Sequence, residues 1–423
     1  MMLNANLQRS DLLERLHAAR AETDALFEII KPEFLFDRPI SERHRLAFYI
    51  GHLEAFDWNL LSERLHIAGS HADLDRLFAF GIDPVAGNLP SDQPSDWPTL
   101  EEIRAYRDLV RGQTDVALER ANVDDAFEQV LTVVVEHRQM HSETLSYLFH
   151  QMPYETKSGT RRSHIASKAT VTPETVRIPA GPATLGQRSS SGTFGWDNEF
   201  EGHTVDAPAF SIDKFKISNA QYLRFHDDGG YDDRDLWDDE NWAWKTAHSI
   251  SHPAFWLRMA GAWFWRAMFD AIPLPLDGPV YVSHAEASAY ARWAGRSLPT
   301  EAQWQRAAFG ASSLHPRALA TRGFDPFPVN SAALGAPSEF GLVGMHANGW
   351  EWTSTVFAPF AGFRTFDFYP NYSEPFFDGM HFVLKGGSVR TAPSMLRPSF
   401  RNWFQNHYQY VYAGFRCVDI DKE

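Results

Sequence analysis

Near Thr172 the spacing of apolar residues changes, and that change divides the chain. Before it, apolar residues recur every three or four positions over long stretches, the period of helices buried on one face. After it, short apolar runs alternate with Gly, Pro and Asp turns, as in TVRIPAGPATLG and HTVDAPAFSIDKFKISNAQY. That pattern reads as short strands in an irregular mixed fold. A chain of 423 residues suits two or three domains at roughly 150 residues each, as a soft prior. The expected fold class is α + α/β mixed. A four-helix bundle takes residues 1–152, a polar linker without periodicity takes 153–170, and a mixed domain takes 171–423.

The four helices are read from stripes and caps. The first runs from about Arg9 to Ile30, with Ser10 or Asp11 as cap. The second runs from about Ser41, a plausible N-cap, to Ile67, and carries His52 among Phe48, Tyr49, Phe56 and Trp58. The third runs from Thr99, where TLEE makes a capping box, to Arg120. The fourth runs from Val123 to His150. Between the second and third, His71 to Trp97 is rich in Gly, Pro and Asp and is expected to be irregular over most of its length. A loop this long is more often functional than idle.

His137 and His141 lie four residues apart in VVVEHRQMHSETLSY. On a helix that spacing puts both imidazoles on one face, one turn apart, within reach of one metal ion. The competing reading is two histidines on a solvated face. Glu143 points away from that face and reads as support. His52 in an apolar setting needs a polar partner, which a backbone carbonyl could supply. Bundles also build metal sites from side chains on facing helices. His52 could therefore join the pair, and three neutral imidazoles suit Fe, Zn, Cu or Ni. Three protein ligands with open positions describe a catalytic site. His44, His66, His71 and His150 read as surface residues.

Composition narrows the function. A net charge of −15 argues against nucleic-acid partners and against a basic membrane surface. The single cysteine, Cys417, excludes an internal disulfide and a CxxC site and fits a reducing compartment. No apolar run reaches about 18 residues, and MMLNANLQRSDLLERL is polar rather than signal-like. A cytoplasmic protein is expected.

In the second part, RIPAGPATLG, ISNAQYLRFHDDGGY, PVYVSHAEASAYARWAGRSLPTEAQWQRAA, GLVGMHANGWEWTST, VLKGGSVRT and YAGFRCVDI follow in order. Together they resemble the formylglycine-generating-enzyme-like (C-type-lectin-like) domain. Formylglycine generation uses a cysteine pair, so a chain with Cys417 alone argues against that activity. A histidine on helix two followed by HxxxHxE on helix four resembles the DinB-like metal-binding bundle, with His52, His137, His141 and Glu143 at the matching positions. Bundle followed by formylglycine-type domain resembles the ergothioneine sulfoxide synthases and selenoneine synthase. The resemblance implies Fe(II) held by three histidines, with O2 as co-substrate. It also implies a reaction joining the imidazole C2 carbon of hercynine to a sulfur or selenium donor. Small-molecule sites favour domain interfaces, so the reaction is expected where the domains meet. By match to the family's Arg-Asn-aromatic segment in FRNWF, Asn402 and Trp403 would contact the hercynine carboxylate and ammonium. Tyr372 matches a pocket-lining region and would donate a proton or pack.

Three departures bear on the donor. Met140 stands directly before the second histidine, where many sulfoxide synthases carry glutamine, and Gln139 lies one residue earlier. The bundle loop LFAFGIDPVAGN has Phe78 and Phe80 where several relatives carry tyrosines. Phe404, Gln405 and Asn406 replace the Asp and Arg that grip a γ-glutamylcysteine donor in one subclass. Met140 and Phe80 are thus expected to line an altered donor side. That pattern leans toward a selenosugar donor, the alternative being cysteine or γ-glutamylcysteine. A non-catalytic hercynine- or metal-binding module and a zinc-dependent DinB-type thiol transferase are the other readings.

Overall fold

In a computed structural model of the protein, the described residues are 2–69, 71–79, 81, 89–159, 169–310 and 323–420, without the side chains of 2–9 and 420. The chain forms two compact units, Met1–Thr160 and Arg161–Glu423.

The first unit is built from α1 (Met2–Phe27), α2 (Leu46–Leu61), α3 (Ala72–Leu77), α4 (Leu100–Leu118) and α5 (Asp125–Gln151). Helix α1 packs on α5, and α2 packs on both α4 and α5. Helix α2, LAFYIGHLEAFDWNLL, is apolar on most of its surface and buried on nearly all sides, so its His52, Glu54 and Asp57 need partners inside the bundle. The expected start at Ser41 is corrected to Leu46. There the N–H groups of Leu46 and Ala47 find the carbonyls of Asp37 and Leu35, which do the work of a capping side chain. Thr99 caps α4 in a reciprocal box with Glu102, as its sequence predicts. The short α3 interrupts the connection expected to be irregular. Residues 153–158, expected to begin a linker, instead pack on the bundle: Ser158 N–H donates to Ile29 and Lys31 N–H to Thr156. His150, read as a surface residue, is buried, and His44 and His71 are half-buried.

The second unit contains β1 (Thr175–Ile178), β2 (Gly181–Leu185), β3 (His203–Ala207), β4 (Phe210–Asp213), α6 (Asn219–Asp227), α7 (Asp239–Ala247), β5 (Trp256–Met259), β6 (Ala262–Arg266), β7 (Ala271–Pro273), α8 (His284–Trp293), α9 (Glu301–Phe309), β8 (Gly349–Val356), β9 (His381–Gly387), β10 (Asn402–Gln405), β11 (Ala413–Gly414) and β12 (Val418–Ile420). Among the described residues the strands form four small sheets, with the orders β1-β4-β12, β10-β9-β8-β11, β2-β3 and β5-β6-β7. The motifs meet in the core. Glu351 of GWEWTST accepts from Arg416 of YAGFRCVDI at 2.9 Å, from Lys216 at 2.7 Å and from Trp304 Nε1 at 3.1 Å. A buried carboxylate needs such partners. Among the described residues, no helix is long and apolar enough to cross a membrane.

Candidate functional site

His52 on α2 and His137 and His141 on α5 converge inside the bundle. Among the described residues they form the group whose ligand atoms all lie within 4.8 Å of one another. Nε2 of His137 and Nε2 of His141 stand 3.1 Å apart. Two nitrogens bound to one ion at about 2.1 Å and at right angles would lie roughly 3.0 Å apart. Burial pushes His52 down to about 4, helped by nearby positive charge, and drives His137 and His141 well below the usual histidine value. The rings are therefore neutral at pH 7, the form that offers a lone pair to a metal. This donor set fits the implied divalent ion, and iron and zinc equally.

The surrounding side chains orient the rings. His52 donates its Nδ1–H to the Phe78 carbonyl at 2.8 Å, which leaves Nε2 as the ligand atom. His52 also stacks on Phe48, and Phe56 lies flat against His137, with centroids 3.4 Å apart at 10°. Phe78, noted in the sequence only for not being tyrosine, thus supplies the second-layer carbonyl. Glu143 lies outside the convergent group and is buried. Met140 is half-buried on α5 beside His141. Phe80 lies outside the described residues.

Behind the histidines runs an ionic network that sequence reasoning missed. Arg138, fully buried, reaches Asp57 and Glu54 at 2.6 Å each. Arg111 joins Glu54 to Asp24, and Arg20 reaches Asp57 and Asp115. Burial favours the neutral form of Glu54, but Arg138, Arg111 and Arg20 outweigh it and hold the carboxyl below its ordinary value. The network ties α1, α2, α4 and α5 together one residue from His137. Its trace in the sequence is the Glu54/Asp57 pair, three residues apart inside a mostly apolar helix.

In the second unit the structure brings Tyr372 and Trp403 together. Their rings meet edge to face at 5.1 Å. Trp403 stacks on Phe357 at 4.3 Å and 6°, and Tyr372 stacks on the buried Trp196 at 3.9 Å. Ser373 anchors this turn, donating to Asp197 at 2.5 Å and accepting from Asn198 at 2.9 Å. Burial pushes Asp197 up to about 6. Asn402 and Trp403 pair with Leu384 and Val383 in register, so their side chains leave opposite faces of β10. Asn402 Oδ1 accepts from the Trp403 N–H at 2.9 Å. Phe404 stacks on Tyr408, and Asn406 donates to Asn241.

Residues 162–420 match the sulfatase-modifying factor enzyme 1-like domain, and residues 15–145 match the DinB superfamily. The chain is 34% identical over 377 residues to a hercynine oxygenase of Mycolicibacterium smegmatis, across 84% of this chain and 83% of that one. It is 27% identical to ergothioneine biosynthesis protein 1 of Neurospora crassa, across 92% of this chain and 55% of that one. A formylglycine-generating enzyme of Mycobacterium tuberculosis is 29% identical over 58% of this chain and 97% of its own length. Both domain matches, in this order, and the similarity to hercynine oxygenase along most of both chains make the protein a member of the ergothioneine sulfoxide synthase family.

Proposed function

We propose that this chain is an oxidative enzyme that joins the imidazole C2 of hercynine to a sulfur or selenium donor, with O2 as co-substrate. Its cofactor is Fe(II), held by His52, His137 and His141. The observation that carries this reading is the convergence of three buried, neutral imidazoles from two helices. Three protein ligands leave open positions, as a catalytic centre requires. When bound, ferrous iron supplies the redox chemistry that substitution at an unreactive imidazole carbon demands.

The chain's own residues bind and orient. The Trp403 ring offers a face to the trimethylammonium of hercynine. Asn402, at the start of the same strand, offers its amide to the carboxylate. Tyr372, edge-on to Trp403, gives a proton beside that ring. Met140 lines the altered donor side. The names of the relatives support hercynine as substrate and sulfur as the donor element. A selenosugar is the second reading. It is favoured by Phe404, Gln405 and Asn406, uncharged residues where the Asp and Arg that grip γ-glutamylcysteine stand in one subclass.

The test is to supply iron-loaded protein with hercynine, O2 and, in turn, cysteine, γ-glutamylcysteine and a selenosugar, with products identified by mass. One coupled product with matching O2 uptake is expected. Tight hercynine binding without O2 uptake would make the protein a binding module. Zinc-dependent, O2-independent turnover would make it a transferase.

A further inference from the structure

His381 opens β9, and the function above leaves it without a task. The register sets His381 opposite Gln405 and Val383 opposite Trp403. Opposed side chains of an antiparallel pair share a face. His381 and Trp403 therefore lie on the same side of the β9–β10 pair, one step apart along it. Phe376 touches both, with ring centroids 5.2 Å from His381 and 5.7 Å from Trp403.

Asp378 fixes the imidazole. Nδ1 of His381 lies 2.9 and 3.1 Å from the two carboxylate oxygens, so the Nδ1–H donates and the lone pair is left on Nε2. Asp378 also accepts from the Met380 N–H at 2.8 Å. Partial burial works against its charge, but these bonds hold the carboxyl below its usual value. Among the described residues, Nε2 has no hydrogen-bond partner, and Asp378 is the charged side chain within reach of the ring. His381 is 7% exposed. A carboxylate-oriented imidazole with a free second nitrogen is the arrangement of a general base.

We propose that His381, positioned by Asp378, takes the proton from a thiol donor before the new bond forms. This rests on the function proposed above. The S–H bond breaks heterolytically, the electron pair stays on sulfur, and the proton goes to Nε2. Asp378 balances the imidazolium charge. The step consumes no oxidant or reductant.

The experiment uses the full chain loaded with iron, as wild type, His381→Gln and Asp378→Asn. Each is assayed with two donors that differ in one atom: cysteine and selenocysteine, or a 1-thiosugar and its selenium counterpart. A thiol with pKa about 8.5 is mostly protonated at neutral pH, whereas a selenol is already ionised. The His381→Gln change is expected to lower kcat with the thiol by on the order of 10²–10⁴-fold and with the selenol far less. The thiol deficit should shrink as pH rises toward the thiol pKa. Asp378→Asn should show the same donor dependence in weaker form, and hercynine affinity should hold in both variants. Equal losses with both donors, or a pH-independent deficit, would make the pair structural and overturn the proposal alone. A wild type that couples neither pair, nor γ-glutamylcysteine, would defeat the proposed function, and this proposal with it.

Discussion

His52 donates its Nδ1–H to the backbone carbonyl of Phe78, 2.8 Å away. Its neighbour Gly51 is what lets the Phe78 ring lie against α2. A Cβ at position 51 would stand 2.5 Å from three atoms of that ring, closer than packed atoms approach. The orientation of one proposed metal ligand therefore depends on the missing side chain of the residue before it.

Gly51→Ala should displace Phe78 and loosen His52. Alanine favours the helix by about 1 kcal/mol, so α2 itself should persist. Metal affinity should fall by on the order of 10–100-fold, the usual cost of losing an outer-shell partner. Titration with Fe(II) or Co(II), alongside far-UV circular dichroism, separates the two effects. Unchanged affinity would mean that the carbonyl does not hold the ring.

Replacing Arg138 by Met should be strongly destabilising. The guanidinium sits between Asp57 and Glu54 with no exposure, and its loss strands two buried carboxylates. Removing one partner of a buried ion pair costs about 3–5 kcal/mol. Urea unfolding of the full chain, followed by a bundle-specific probe, should show that transition moved to lower denaturant.

Trp403→Ala should weaken hercynine binding by roughly 0.5–2 kcal/mol, the range of a cation–π contact, while iron binding stays at wild-type level. Trp403→Phe should recover part of the loss, because the stack on Phe357 can be retained. Calorimetric titration of hercynine into the protein reads both. Equal affinities in all three proteins would remove Trp403 from the substrate site.

Low pH should destabilise the second unit through His284. This ring is buried, donates Nε2–H to the Thr353 carbonyl at 3.1 Å and stacks on Phe382. Burial depresses it from 6.5 to about 3. Between those values the unfolded chain binds a proton that the folded chain refuses, so stability is intact above about pH 6.5 and falls as pH drops. The slope approaches about 1.4 kcal/mol per pH unit, or about 2 kcal/mol lost by pH 5. His284→Gln cannot titrate and should flatten the slope over this window in denaturant melts.

Much of the bundle was legible in the sequence. The i, i+4 spacing of His137 and His141 placed both rings on one face, and the Thr99 capping box marked a helix start that the structure keeps. These are local signals, carried by residues within a turn of each other. The Leu46 start of α2 was not legible, because carbonyls of the preceding loop satisfy its first amides. Helix α7 was missed, although Asp238 caps it, because its DDENWAWK stretch is polar and short.

The sequence by itself determined which side chains could share a helix face, where the helical pattern gives way to strands, and that no cysteine pair is available. Periodicity and residue chemistry are enough for that. Only the tertiary structure decided that His52 meets the α5 pair, that Arg138 and its partners fill the space behind them, and that His381 lies on the Trp403 side of the β9–β10 pair. Those relationships join residues up to a hundred positions apart, and they exist because buried polar groups must find partners across the fold rather than along the chain.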